Sequence, residues 1–303
     1  MIDLHIHSIH SDGTDTVIDI LKKAEMKALE YISITDHNTC SAYEELKNIN
    51  IREYYTGQII TGVELNTVAL GVPIEILGYD IDIEIMQKNL DGIYLSPKER
   101  NYLEIKRLYN KCMENGVVLN EDFIRNYTPE KYASKYLHEV LTQDERNRRF
   151  VDGEAWDDSL VLYRKYMSDP KSIFFVDMFD VLPTLDETIN LIKRANGKIF
   201  LPHIFEYKHN SIDILEYIIK NYKIDGIECY YSTFSTAQTQ NLVEVCKKRN
   251  LLISGGSDYH GLNDPQIQIG IGKGNLKVDS SILSTWHNTR IKKSHVKSAD
   301  YER

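Results

Sequence analysis

Ile2-Asp3-Leu4-His5-Ile6-His7, a stretch of helical periodicity over 16–29, and Tyr31-Ile32-Ser33-Ile34-Thr35-Asp36 open the chain as strand, helix, strand. The two short runs are apolar and flanked by turn-forming residues, the pattern of strands. Between them Val17, Ile20, Leu21, Ala24 and Ala28 recur at spacings of three and four, laying one apolar stripe along a helix that Thr14 or Asp15 would cap. The same grammar continues. Ile59–Leu65, Ile74–Ile81, Lys198–His203, Ile224–Tyr231 and Leu251–Asp258 read as strands, and 212–222 and 236–250 as helices that lead into strands. Alternation of this kind implies an α/β protein with a mainly parallel sheet or barrel. About seven strands with helices between them favour a closed barrel.

The alternation breaks over 96–182, where the sequence is rich in tyrosine and charge and reads as helical at 97–115 and 131–142. The first apolar run there that suits a strand is Ile173–Val176. The expected organisation is therefore a discontinuous barrel over 1–95 and 183–290 with a mostly helical insertion over 96–182. Residues 291–303 are polar and basic, and a flexible tail is the expectation there.

With 303 residues the chain can bury a full core. No run of about 18 apolar residues occurs, so no membrane span is expected, and no secretory signal is evident at the N-terminus. The four cysteines, Cys40, Cys112, Cys229 and Cys246, form no CxxC pair, which suits free thiols and a cytoplasmic location. A formal net charge of −9 argues against broad electrostatic capture of nucleic acid. A site for anions would need local positive charge of its own.

Histidines and carboxylates gather at the ends of the strands. His5 and His7, two apart, project from one face of a strand while Leu4 and Ile6 face the other layer. Such a pair is half of a metal site, or two core histidines paired with Asp3. Asp12 follows in a glycine-containing turn. Asp36 and His37 end the second strand, where Asp36 would cap a helix near Ser41 or orient a ligand, and His37 would bind. Glu64 ends Thr61-Gly62-Val63-Glu64 and is either a bridging ligand or a surface charge. His203 ends Phe200-Leu201-Pro202-His203, and Asp258 and His260 repeat the two-residue spacing in Gly255-Gly256-Ser257-Asp258-Tyr259-His260. Each is ambiguous alone; five strand ends bearing His, Asp or Glu together point to a metal centre.

At these motifs, DLHIHS with SDG (3–13), TDH (35–37), GVE (62–64), LPH (201–203) and GSDYH (256–260), the chain resembles the PHP (polymerase and histidinol phosphatase) family. The DGIECYY strand containing Ile227-Glu228 resembles a family strand as well. The insertion resembles that of the stand-alone branch, which includes nucleotide bisphosphate phosphatases and 5′–3′ exoribonucleases. The resemblance implies a distorted (β/α)7 TIM-like barrel, the PHP fold, holding two or three divalent ions, manganese, iron or zinc. It implies that His5, His7, Glu64 and Asp258 hold one ion, that Glu64 and His203 hold a second, and that Asp12, His37 and His260 hold a third. A histidine usual in the branch is replaced by Glu75, which as a ligand would favour harder ions. Three ions against the carboxylates Asp12, Glu64, Glu75 and Asp258 would leave a site charge of about +2.

The expected function is metal-dependent hydrolysis of phosphate mono- or diesters of a nucleotide or short RNA by metal-activated water. Asp258 would serve the catalytic centre, and His203 or His260 would protonate the leaving group. Lys131, Lys135, Arg146, Arg148 and Arg149 of the insertion either grip the substrate, with Lys135 and Arg148 foremost, or form a solvated helix face. Lys135 stands where the branch carries a substrate-binding arginine. Tyr132, Tyr136, Tyr230 and Tyr231 are base-stacking candidates or packing residues. The alternatives are a small-metabolite phosphatase of the histidinol-phosphate type and a non-catalytic, metal-stabilised domain. No membrane and no obligate protein partner are expected.

Overall fold

The computed structural model describes residues 1–129 and 131–288, so the expected flexible tail lies outside the described residues. The fold is mixed α/β. Its strands are β1 (Ile2–Ile6), β2 (Tyr31–Ile34), β3 (Gln58–Ile59), β4 (Gly62–Ala69), β5 (Val72–Tyr79), β6 (Lys198–Leu201), β7 (Gly226–Tyr231) and β8 (Leu252–Gly256). Its α-helices are α1 (Val17–Met26), α2 (Ser41–Leu46), α3 (Ile83–Leu90), α4 (Pro97–Glu114), α5 (Ala133–Leu141), α6 (Gly153–Asp157), α7 (Ser159–Leu162), α8 (Leu185–Arg194), α9 (Ser211–Asn221) and α10 (Thr236–Arg249). The chain divides into two compact units, one formed by Met1–Asp91 with Thr184 onward and the other by Gly92–Pro183.

In the first unit β1, β2 and β3 form a parallel sheet, and β4 to β8 form a five-stranded sheet in sequence order. Backbone bridges Ile6–Tyr259 and His37–Glu64 join segments at the ends of the two sheets. The expectation of a mainly parallel arrangement fails at β4 and β5, which are antiparallel to each other, as β5 is to β6. Only Leu70 and Gly71 connect β4 to β5, both with positive φ (52° and 74°). Two such residues make a hairpin and leave no room for a crossover helix. The single expected run at 59–65 is divided in the structure between β3 and β4.

Every residue of β1 is buried, so this strand has protein on both faces. Ile2 and Leu4 pack with Leu77, Tyr79, Phe200, Val278 and Trp286 on the apolar side. Gly256 of β8 runs so close to β1 that a Cβ there would lie 2.4 Å from the backbone nitrogen of His5. Neither Thr14 nor Asp15 caps α1. Thr14 accepts a bond from the Leu262 nitrogen (2.8 Å) and Asp15 one from the Tyr259 hydroxyl (2.7 Å), while extended Thr16 accepts from the Asp19 nitrogen at 3.2 Å.

The second unit has its own core. Ile105, Leu108, Phe123, Leu137, Leu141, Leu162 and Phe174 are fully buried in it. The run Ile173–Val176 forms no strand, because Phe174 is spent on this helical core rather than on a sheet.

Candidate metal centre

Strand geometry gathers the predicted ligands of the first unit. His5 leaves β1 and His7 follows just beyond it; Glu64 lies in β4, and Asp258 comes two residues after β8. The possible ligand atoms of these four all lie within 4.8 Å of one another. His5 Nε2 is 3.1 Å from Glu64 and 3.3 Å from Asp258; His7 Nε2 is 3.2 Å and 3.1 Å from the same two carboxylates. A second group of the same tightness contains His7, Asp12, His37 and His260. Here Asp12 sits 3.2 Å from His260 Nε2, 3.6 Å from His7 Nδ1 and 3.7 Å from His37 Nε2. His7 belongs to both groups. The stacked rings of His7 and His260, with centroids 4.1 Å apart, show how closely the imidazoles are crowded.

Such crowding of buried bases and acids needs cations. Without a metal, protons fill the role. Burial alone would lower the pKa of His7, but Asp258 and Glu64 outweigh it and push the group up to about 10. His203 is likewise depressed by burial and raised further by Glu64, to about 9. His5 also ends well above its usual value. Glu64 and Asp258 are pushed up by burial, yet His5 and its neighbours hold both well below the ordinary carboxylate range. The residues fit a divalent ion better than they fit protons. His7 Nε2 lies near two carboxylate oxygens without a hydrogen bond to either, and His37 Nδ1 and His203 Nδ1 are also buried without hydrogen-bond partners. Nitrogen and carboxylate oxygen donors in sets of four suit divalent metal ions.

His203 stands just after β6, with Nε2 2.9 Å from Glu64 and a strained backbone at φ 21°, ψ 46°. Glu75 is not in either four-residue group. Its carboxylate accepts a bond from the Tyr207 hydroxyl at 2.8 Å, and its backbone nitrogen donates to that same oxygen at 2.9 Å. Asn66 lies 3.5 Å from the other carboxylate oxygen. Glu75 nevertheless lines, with His37, Glu64, His203, Glu206, Tyr207, Tyr231, Asp258 and His260, a cavity of about 280 Å³. No lysine or arginine is among these lining residues.

The PHP domain family matches residues 3–229, well over half of the chain. The chain belongs to the PHP domain family. Among curated relatives of this PHP protein, a 5′–3′ exoribonuclease of Haemophilus influenzae is 25% identical over 286 residues, covering 94% of this chain and 97% of the relative. A phosphoribosyl 1,2-cyclic phosphate 1,2-diphosphodiesterase of Eggerthella lenta is 23% identical, covering 86% of this chain and 94% of the relative. A 3′,5′-nucleoside bisphosphate phosphatase of Chromobacterium violaceum is 22% identical, covering 86% and 87%. A solved structure from Bifidobacterium adolescentis, described as a candidate metal-dependent phosphoesterase, shares the fold with TM-score 0.63 at 18% identity, covering 93% of this chain and 94% of its own.

Several readings of this PHP sequence change in the structure. Asp3 does not pair with the imidazoles: its carboxylate accepts from the Ser257 nitrogen and hydroxyl and the Gly270 nitrogen at 2.6–2.8 Å. Asp36 does not cap α2, whose N-cap is Cys40. It accepts instead from the Ser8 nitrogen and the Ser8 and Ser11 hydroxyls, tying down the loop that carries Asp12. Tyr136 is a packing residue, buried with its hydroxyl donating to the Phe123 carbonyl at 2.6 Å. Tyr231 is buried too, and its hydroxyl donates to Asp258 at 2.7 Å. In the second unit Lys135 lies over the Tyr132 ring, while Arg148 pairs with Glu145 at 3.5 Å and lies over Trp156. Lys131 and Arg146 pair with Glu139 and Asp144. Tyr207 and the buried Glu228 were not singled out for the site by sequence.

Proposed function

We propose that the chain is a metal-dependent phosphoesterase acting on a nucleotide or a short oligonucleotide, with two divalent ions held by the two four-residue groups. His5, His7, Glu64 and Asp258 would hold one ion; Asp12, His37 and His260, with His7 between the groups, would hold the other. The observation that carries the reading is a cavity lined by Glu64 and Asp258 of one group and His37 and His260 of the other, with no lysine or arginine in its lining. A phosphate there meets no lysine or arginine and faces the carboxylates of Glu64, Glu75, Glu206 and Asp258, so bound metal would supply the neutralising charge. The bound ions supply Lewis acidity toward the phosphate and lower the pKa of water. The activities for which the relatives are named, all on phosphate esters of nucleotide or ribose type, support the substrate class, and the cavity volume suits a phosphate with a sugar-sized group.

The chain's own groups orient and move protons. His203, which lines the cavity with Nε2 2.9 Å from Glu64, is the group we assign to proton exchange with the leaving oxygen. A third ion beside Glu64 and His203 would require Glu75 to leave Tyr207. The two bridges between the sheets support a distorted (β/α)7 barrel as the frame, with residues 96–182 as an insertion.

Phosphate release from a panel tests the reading. The panel holds a 3′,5′-bisphosphonucleotide, short 5′-phosphorylated RNA, histidinol phosphate and an aryl phosphate, each with manganese-loaded protein. Turnover of either nucleotide substrate above histidinol phosphate is expected. Preference for histidinol phosphate would favour the small-metabolite alternative, and no turnover of any member by metal-loaded protein would favour the non-catalytic one.

A further inference from the structure

Strand β7 supplies no ligand to either group, yet two of its side chains face the ligands. Glu228 is fully buried. One carboxylate oxygen lies 3.0 Å from His5 Nδ1 and the other accepts the His203 backbone nitrogen at 2.9 Å. Three residues on, the Tyr231 hydroxyl donates to Asp258 Oδ2 at 2.7 Å. In a regular strand residues three apart face opposite sides of the sheet. The register of β7 against β8 shifts between Glu228 and Tyr230, and this bulge turns both side chains toward the same site.

We propose that β7 is the positioning strand of the metal centre, with Glu228 orienting His5 and the His203 turn, and Tyr231 orienting Asp258. The inference rests on the two-group metal reading above. Its chemistry is specific. By accepting a hydrogen bond from His5 Nδ1–H, Glu228 would select the tautomer whose Nε2 lone pair faces the ion between Glu64 and Asp258. Its second oxygen holds the strained His203 turn through that residue's backbone N–H. Tyr231 occupies Asp258 Oδ2, so Oδ1 is the oxygen left near His5 and His7. One strand thus fixes groups carried by β1, by the turn after β6 and by the loop after β8.

Glu228→Gln separates the roles. A glutamine offers one acceptor where two donors must be met. If its oxygen meets the His203 nitrogen, its amide donates to His5 Nδ1 and moves the imidazole proton to Nε2, the atom that faces the ion. Manganese affinity is measured by chelator competition in two backgrounds. Asp12→Ala leaves only the first group complete, and Asp258→Ala leaves only the second. Glu228→Gln is expected to weaken the first group about 10–100-fold and the second by less than about threefold, with Tyr231→Phe giving a smaller loss in the first group alone.

Unchanged affinity at the first group overturns the inference. Equal weakening in both backgrounds also overturns it, because it marks general structural damage. If the parent protein binds no manganese, the metal reading falls and takes this inference with it. Should Glu228→Gln not fold, Glu228→Asp keeps the charge but shortens the reach. Selective weakening at the first group again supports the positioning role, and parent-like affinity there contradicts it.

Discussion

His7 is the residue on which the two ligand groups meet, with one ring nitrogen near Glu64 and Asp258 and the other near Asp12. Its replacement by alanine is expected to cost activity at least about 100-fold, because a bound ion contributes several kcal/mol to the transition state. Elemental analysis of the purified variant should show the manganese content falling along with the rate. Glu75 makes the opposite case. Tyr207 already holds its carboxylate, so Glu75→Gln is expected to bind as many ions as the parent; loss of one ion would place Glu75 among the ligands. Much of the site was legible at this scale. His5 and His7 reveal a shared direction through spacing alone, whereas Asp258 and His260 lie beyond β8, with Asp258 at φ 57°, so strand alternation does not set their directions. The hold of Tyr207 on Glu75 was not legible, since 132 residues separate the partners and no local pattern encodes such a contact.

Elements decide whether those residues meet. Gly256 packs against β1 where a Cβ would fall 2.4 Å from the backbone of His5. The contact atoms are the backbone nitrogen, Cα and Cβ of His5, none of which can swing aside. Gly256→Ala is expected to lower stability by about 2–4 kcal/mol, read as a fall in the thermal midpoint of the metal-free protein. Thr16→Ala should cost only about 1 kcal/mol, the loss of one helix cap, in the same measurement. Most strands and helices could be read from period and composition, as α10 shows: the expected 236–250 became Thr236–Arg249. What could not be read were features that break period. The β4–β5 hairpin hides inside two apolar runs that each look like a parallel strand. The bulge in β7 turns Glu228 and Tyr231 to one side against the alternation rule, so neither stood out as facing the ligands.

At the scale of the whole molecule, the net charge of −9 and an anionic substrate would be reconciled by the metal proposed for the acidic cavity. Among the described residues no helix is long and apolar enough to cross a membrane. All four cysteines are buried and free. Burial pushes the Cys40 and Cys112 thiols up from 9.0 to about 12. The folded chain therefore holds these protons more tightly than the unfolded one. Their contribution to stability is full below about pH 9 and is lost as pH rises toward 12. Unfolding midpoints taken between pH 8 and 11 should fall from about pH 9 upward, more steeply than in a Cys40→Ala, Cys112→Ala double variant. At pH 8 a thiol reagent is expected to modify none of the four cysteines until the protein is unfolded.

The most direct test follows phosphate release and bound metal in the same sample. Protein stripped with a chelator is titrated with manganese, and turnover of a 3′,5′-bisphosphonucleotide or 5′-phosphorylated RNA is recorded at each step. Activity is expected to be absent in stripped protein and to rise with occupancy to a plateau at two ions per chain, while His7→Ala stays inactive throughout. Full activity in the stripped protein, or turnover by His7→Ala equal to the parent's, would contradict a phosphoesterase built on these two groups.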